Sequence, residues 1–276
     1  MKNSSAAPIL CDLDGVVWLS HEPIAGSVEA IAALREAGHR VLFVTNNSYS
    51  SVAQQEETLA SLGIPAVGDV LTSSGAAATL LKAGQRVLVA GGPGLVEAVE
   101  QVGAIIAGRT DDGSSPEAQF VSDADIVAVV VGFHRTFNFE SMSRASAAVR
   151  AGAILIGTND DATYPTSTGV IPGGGSILAA IATASGVSPI VAGKPFAPMG
   201  ELVRRTLGMI DLSSSWMVGD RYSTDGVFAK TIGAKFALAT SGVVDRSVAR
   251  ALQNEHKFEI VVDDLRSLAN HIGIAV

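Results

Sequence analysis

Short apolar runs alternate with stretches whose apolar residues recur at helical spacing along the whole chain. The first run, Ile9-Leu10-Cys11, enters Asp12-Leu13-Asp14-Gly15. Ser27 is then placed to cap a helix bearing Val28, Ile31, Ala32 and Leu34 on one face, and Gly38 to end it. A second run, Val41-Leu42-Phe43-Val44, stops at Thr45-Asn46-Asn47-Ser48 and leads into a helical stretch reaching about Leu62. Further runs stand at Val87-Ala90, Ile126-Val131, Ile154-Ile156, Ile190-Ala192, Trp216-Val218, Phe236-Leu238 and Ile260-Val262. This alternation predicts an α/β fold, a parallel sheet covered by helices, with more strands than one small sheet needs. The stretch from Gly108 to Asp125 reads as a polar loop in the middle section.

Length and composition narrow the setting. A chain of 276 residues exceeds one average domain, which suggests two modules or one domain with a large insertion. With 47% hydrophobic and 17% charged residues it has enough apolar surface to offset chain entropy. The single cysteine, Cys11, excludes an internal disulfide and fits a reducing compartment, so the cytoplasm is the expected location. Met1 to Pro8 holds no apolar run of signal-peptide length, and no uninterrupted apolar segment is long enough to span a membrane. A net charge of −8 and scattered basic residues argue against nucleic acid. They leave room for a small anionic substrate held by a few focused cations or a metal.

In open α/β sheets ligands bind beyond the carboxyl ends of the strands, so the informative residues are those that interrupt each run at its end. Four runs end in this way: at Asp12 and Asp14; at Thr45, Asn46 and Asn47; at Lys194; and at Asp220 with Asp225. Carboxylates converging at one sheet edge would repel by about 4 kcal/mol per pair at 4 Å and an effective dielectric of 20. Such a cluster calls for a cation, and hard oxygen ligands favour Mg²⁺. One carboxylate could attack phosphorus while its neighbour handles the leaving-group proton. Thr45-Asn46-Asn47 would offer a hydroxyl and backbone N–H groups at the start of a helix as a phosphate cradle, and Lys194 would supply positive charge.

Each signal has a plainer reading. Asp-x-Asp-Gly is common at turns, Thr45-Asn46-Asn47 could cap the next helix, and Asp225 could serve a helix N-terminus. Gly91-Gly92-Pro93-Gly94 hints at a dinucleotide site, but Glu97 stands where a third glycine is needed. Cys11 reads as a buried thiol, Trp18 as a packing residue, and His21 and His134 carry no role.

Taken in order, Asp12-Leu13-Asp14-Gly15, Thr45-Asn46-Asn47, Gly193-Lys194-Pro195 and Gly219-Asp220 with Asp225 resemble the four signatures of the haloacid dehalogenase superfamily. Their arrangement looks like the p-nitrophenyl phosphatase (NagD-like) subfamily, class IIA. The resemblance implies a Rossmann-like core at residues 1–77 and 188–276 and an inserted α/β cap at 78–187. It implies a Mg²⁺-dependent phosphatase of small phosphorylated metabolites such as glycerol phosphate, phosphoglycolate, a sugar phosphate or a nucleotide. Asp12 would be the nucleophile and Asp14 the acid and then base. Asp12, the Asp14 carbonyl and Asp220 would hold the metal, with Asp225 supporting it. Thr45, Asn46, Asn47 and Lys194 would hold phosphate, and Asn159 and Asp161, which also read as turn formers, would face substrate. A phosphotransferase or mutase with the same intermediate, and a non-catalytic phosphate-binding module, remain alternatives, and a homodimer follows by analogy.

Overall fold

The computed structural model describes residues 6–19, 22–110, 125–166 and 169–276. They form two compact units, the first from Met1–Thr45, Ala53–Leu71 and Lys194–Val276, the second from Asn46–Val52 and Thr72–Gly193. No helix among the described residues is long and apolar enough to cross a membrane.

The first unit is built on a six-stranded sheet in the order Ile260–Val262, Lys235–Ala239, Trp216–Gly219, Ile9–Cys11, Val41–Thr45, Val70–Thr72. Ile9–Cys11 pairs in parallel with both Trp216–Gly219 and Val41–Thr45. The strands are apolar without alternation because both faces are covered, as parallel sheets require. Leu42, Leu10, Met217 and Phe236 lie in one register row, none more than 2% exposed. Each such side chain contributes roughly 1.5–3 kcal/mol by leaving water. The chain steps outward from Ile9–Cys11 on one side, then returns to its other side with Trp216–Gly219. The strand order therefore reverses beside Ile9–Cys11, and a crevice opens beyond the carboxyl ends of these two strands.

The helix at Ser27–Glu36 buries Ile31 and Leu34 as the pattern predicts, but Ala30 joins them in place of Ala32, which is exposed, and Val28 is half-buried; Gly38 follows at φ 89°, as expected. Its start differs from expectation. Gly26, at φ 84°, precedes the helix, and Ser27 donates its hydroxyl to the Val17 carbonyl at 2.9 Å instead of capping. The following helix covers Val52–Ser61, so Thr45-Asn46-Asn47 lies well upstream of it and not at its first turn.

The second unit has a five-stranded parallel sheet in the order Ile190–Val191, Ile154–Gly157, Ala128–Val131, Arg86–Ala90, Ile105–Arg109. Leu88, Val129, Val131, Leu155, Ile177, Leu178 and Ile181 form its core against the helices Phe139–Arg150 and Gly174–Ser185. Ile105–Arg109 is a strand where the polar loop was expected to begin, and residues 111–124 of that loop lie outside the described residues. Gly108 belongs to this strand, where a Cβ would meet the Arg144 guanidinium at 2.3 Å.

This sheet also reverses its order, between Arg86–Ala90 and Ala128–Val131. The glycines that hint at a dinucleotide site stand there, and they admit the chain's own loop. The Gly94 N–H donates to the Tyr49 carbonyl at 2.8 Å, and a Cβ on Gly94 would meet the Ser50 carbonyl oxygen at 2.1 Å. A Cβ on Gly92 would strike the Tyr49 ring at 2.4 Å.

Candidate active site

Asp12 directly follows Cys11, and its N–H continues the sheet by donating to the Val218 carbonyl at 2.9 Å. Asp220 follows the neighbouring strand, and a π-helical turn over Tyr222–Gly226 then carries Asp225 back beneath it. Between these acids lies Lys194, 2% exposed, its Nζ 2.8 Å from Asp12 Oδ1 and 2.7 Å from Asp225 Oδ1. Carboxylate oxygens of Asp12, Asp220 and Asp225 come within 4.8 Å of one another. The structure brings these four side chains together beyond the strand ends.

Burial raises the Asp12 carboxyl well above the usual carboxylate range. Lys194 opposes that rise, and Asp225 and Asp220 add to it. Asp220 is pushed up to about 6 by burial and then by Asp225, against the Val243 N–H that donates to its Oδ2 at 3.0 Å. For Lys194 burial alone favours the neutral amine, but Asp12 and Asp225 outweigh it and raise the ammonium's pKa. Burial, reinforced by the Asp12 charge, likewise raises the Cys11 thiol, so it stays neutral as a packed side chain.

With all three ionised, the carboxylates against one ammonium leave two negative charges uncompensated, which one divalent cation would balance. The donors are all hard oxygens, the set that suits Mg²⁺. Asp225 already accepts from Lys194 through Oδ1 and from the Arg221 N–H, at 3.2 Å, through Oδ2. Its geometry therefore serves to orient the lysine.

Glycines make this crowding feasible. A Cβ on Gly15, which sits at φ 82°, would meet Asp220 Oδ2 at 2.3 Å, and one on Gly242 would meet the same oxygen at 2.1 Å. A Cβ on Gly219 would collide with Asp225 at 2.2 Å. Gly226 makes room for the Tyr222 ring, which a Cβ would approach to 2.4 Å, and the helix Val227–Ile232 follows without a break.

Asp14 lies one residue beyond Leu13, its Oδ1 accepting from the Trp18 indole at 3.0 Å. Thr45 ends the adjoining strand, 2% exposed. The remaining predicted residues belong to the second unit. There Asn46 donates to Asp161 Oδ2 at 2.9 Å, and Asn159 donates to the Asn46 carbonyl at 2.9 Å. Asn47 Oδ1 accepts from the Tyr49 and Ser50 N–H groups, closing a turn. The Gly173-Gly174-Gly175 run opens a helix whose first turn packs against the Asn159–Asp161 backbone, with a Cβ on Gly175 only 2.2 Å from Asp160.

Ser241, Gly242 and Val243 lie outside the sequence reading, and Trp18, read there as a packing residue, also bonds Asp14. Ser241 donates to the Gly15 carbonyl at 2.7 Å. The signal for Ser241, Gly242 and Val243 was present, because Thr240-Ser241-Gly242 is a polar break at the carboxyl end of the Lys235–Ala239 strand.

Residues 9–105 match the family described as haloacid dehalogenase-like hydrolase, and residues 191–268 match one described as HAD-hydrolase-like. A D-glycerol 3-phosphate phosphatase of Mycobacterium tuberculosis is 36% identical over 266 residues, covering 94% of this chain and 70% of the relative. The 5'-nucleotidase YutF of Bacillus subtilis is 34% identical over 241 residues, covering 86% and 88%. Among solved structures, the glycerol phosphate phosphatase Rv1692 of Mycobacterium tuberculosis in complex with magnesium superposes with a TM-score of 0.80 at 33% identity, covering 96% of this chain and 76% of that one. With similarity of this extent over both ends of the chain, it belongs to the haloacid dehalogenase-like hydrolases.

Proposed function

We propose that this chain hydrolyses small phosphate monoesters through a phosphorylated Asp12. The observation that carries the reading is the Lys194 ammonium clasped between Asp12 and Asp225, with Asp220 beside them. Lys194 holds Asp12 Oδ1, which leaves Oδ2 as the attacking atom. Asp14 gives a proton to the departing alcohol and later takes one from water. Asp12, the Asp14 carbonyl and Asp220 would hold Mg²⁺, which when bound neutralises charge on the transferring phosphoryl group. Asp225 supports that set by fixing Lys194. Thr45, Asn46 and Asn47 with Lys194 are assigned to the phosphate. The segment at 78–187 is assigned as an inserted cap in which Asn159 and Asp161 contribute to the choice of ester. The names of the relatives, a D-glycerol 3-phosphate phosphatase and a 5'-nucleotidase, support a preferred ester among small phosphorylated metabolites.

The test is hydrolysis of p-nitrophenyl phosphate with Mg²⁺, with excess EDTA, and by Asp12→Asn. Release of nitrophenolate that needs the metal and disappears in the variant is expected. Undiminished turnover by Asp12→Asn would remove the aspartyl-phosphate from the reading.

A further inference from the structure

Trp18 is buried, 1% exposed, yet its indole does more than fill space. Its Nε1–H donates to Asp14 Oδ1 at 3.0 Å. The backbone of the same residue is tied to both neighbours of Asp14: its N–H donates to the Leu13 carbonyl at 3.2 Å, and its carbonyl accepts the Gly15 N–H at 2.8 Å. Asp14 and Trp18 also pair as an isolated bridge. The indole is thus held at its own backbone and grips the Asp14 side chain four residues back. Ser241, bonded to the Gly15 carbonyl at 2.7 Å, fixes the far side of the loop.

An indole N–H donates and cannot accept, so the lone pair it occupies on Oδ1 is closed to any proton. We infer that Trp18 is a positioning residue for Asp14, holding the carboxyl by Oδ1 so that proton exchange with substrate runs through Oδ2. This rests on the acid–base role proposed for Asp14. In the first step Asp12 Oδ2 forms a bond to phosphorus, the bond from phosphorus to the ester oxygen breaks, and that oxygen takes the proton from Asp14 Oδ2. In the second step a water oxygen attacks phosphorus, its proton passes to Asp14 Oδ2, and the bond to Asp12 breaks to free inorganic phosphate. The same oxygen serves both directions, which requires a carboxyl that does not swing between steps.

Trp18→Phe removes the donor while keeping a large apolar ring, and replacement of Trp18 by β-(3-benzothienyl)alanine removes only the N–H. Both are compared with wild type and Asp14→Asn for kcat/KM on two esters, p-nitrophenyl phosphate, whose leaving group departs without a proton, and glycerol phosphate, whose alkoxide needs one. Loss of a well-placed proton donor should lower kcat/KM on glycerol phosphate by about tenfold or more while changing p-nitrophenyl phosphate by about twofold at most. Equal losses on both esters in the Trp18 variants would mean that the indole only packs, and the inference falls. If Asp14→Asn itself discriminates and neither Trp18 variant does, the inference again falls while the role of Asp14 stands. If Asp14→Asn treats both esters alike, the acid–base reading fails and takes the inference with it. Should Trp18→Phe not fold, the benzothienyl protein decides.

Discussion

Lys194 illustrates how a single side chain can be both structural and chemical. Its ammonium is the counter-charge printed into the fold between two buried carboxylates, so Lys194→Met leaves Asp12 and Asp225 facing each other without it. Breaking a buried pair from one side costs about 3–5 kcal/mol. Urea unfolding of Lys194→Met in EDTA should show a loss of that size together with absent turnover, and an unchanged midpoint would deny Lys194 its structural share. Asp220 makes a separate prediction. Its folded pKa of about 6 lies above that of an unfolded aspartate, near 3.9. The folded metal-free protein therefore binds this proton more tightly than the unfolded chain does. The stability it contributes is present below about pH 4 and is lost as pH rises through about 6, an effect on the order of 2–3 kcal/mol. Unfolding midpoints from pH 4 to 7 in EDTA should fall less steeply for Asp220→Asn than for wild type, and parallel curves would contradict the assignment.

At the scale of elements, the site depends on loops that approach too closely for any side chain. Gly242→Ala would place a Cβ 2.1 Å from Asp220 Oδ2, so the Ser241–Val243 loop must withdraw and Asp220 with it. Displacing a catalytic group by about 1 Å costs on the order of 10²-fold in rate, and that loss is expected in p-nitrophenyl phosphate turnover with the fold retained by circular dichroism. Wild-type rates from the variant would show that the loop is not a support. The strand-end rule made Asp12, Asp14, Lys194, Asp220 and Asp225 legible in the sequence, since a charged residue closing an apolar run has few other reasons to be there. The same rule holds at Phe236-Leu238, whose polar break Thr240-Ser241-Gly242 begins the loop that wraps Asp220. Ile105–Arg109 is not legible as a strand: Ala107 and Gly108 weaken its apolar signal, and its pairing with Arg86–Ala90 comes from tertiary context. Ser27 has the chemistry of a cap, but the Val17 carbonyl offered a buried partner that local sequence cannot reveal.

Over the whole molecule, the acids and the lysine belong to the first unit, while the Asn46–Asn159–Asp161 network belongs to the second. Mg²⁺ should therefore slow amide hydrogen exchange at residues 12–18, 219–227 and 241–243, and leave the strands Arg86–Ala90 and Ala128–Val131 unaffected. Equal protection of both sheets would argue against a metal seated among Asp12, Asp14 and Asp220. The first unit is also assembled from three separated stretches of chain, and that has a consequence during synthesis. The Ile9–Cys11 strand leaves the ribosome well before its partner Trp216–Gly219 and before the counter-charge of Lys194, 182 residues beyond Asp12. At typical translation rates the delay before Lys194 is roughly 10–40 s. Throughout that interval the nascent chain carries a wholly apolar strand with one unpaired edge, a template for wrong pairing. The second unit, closed by residue 193, is complete before the first can be. Nascent chains stalled there should be held by chaperones at their amino-terminal end, and release should coincide with emergence of Trp216–Gly219.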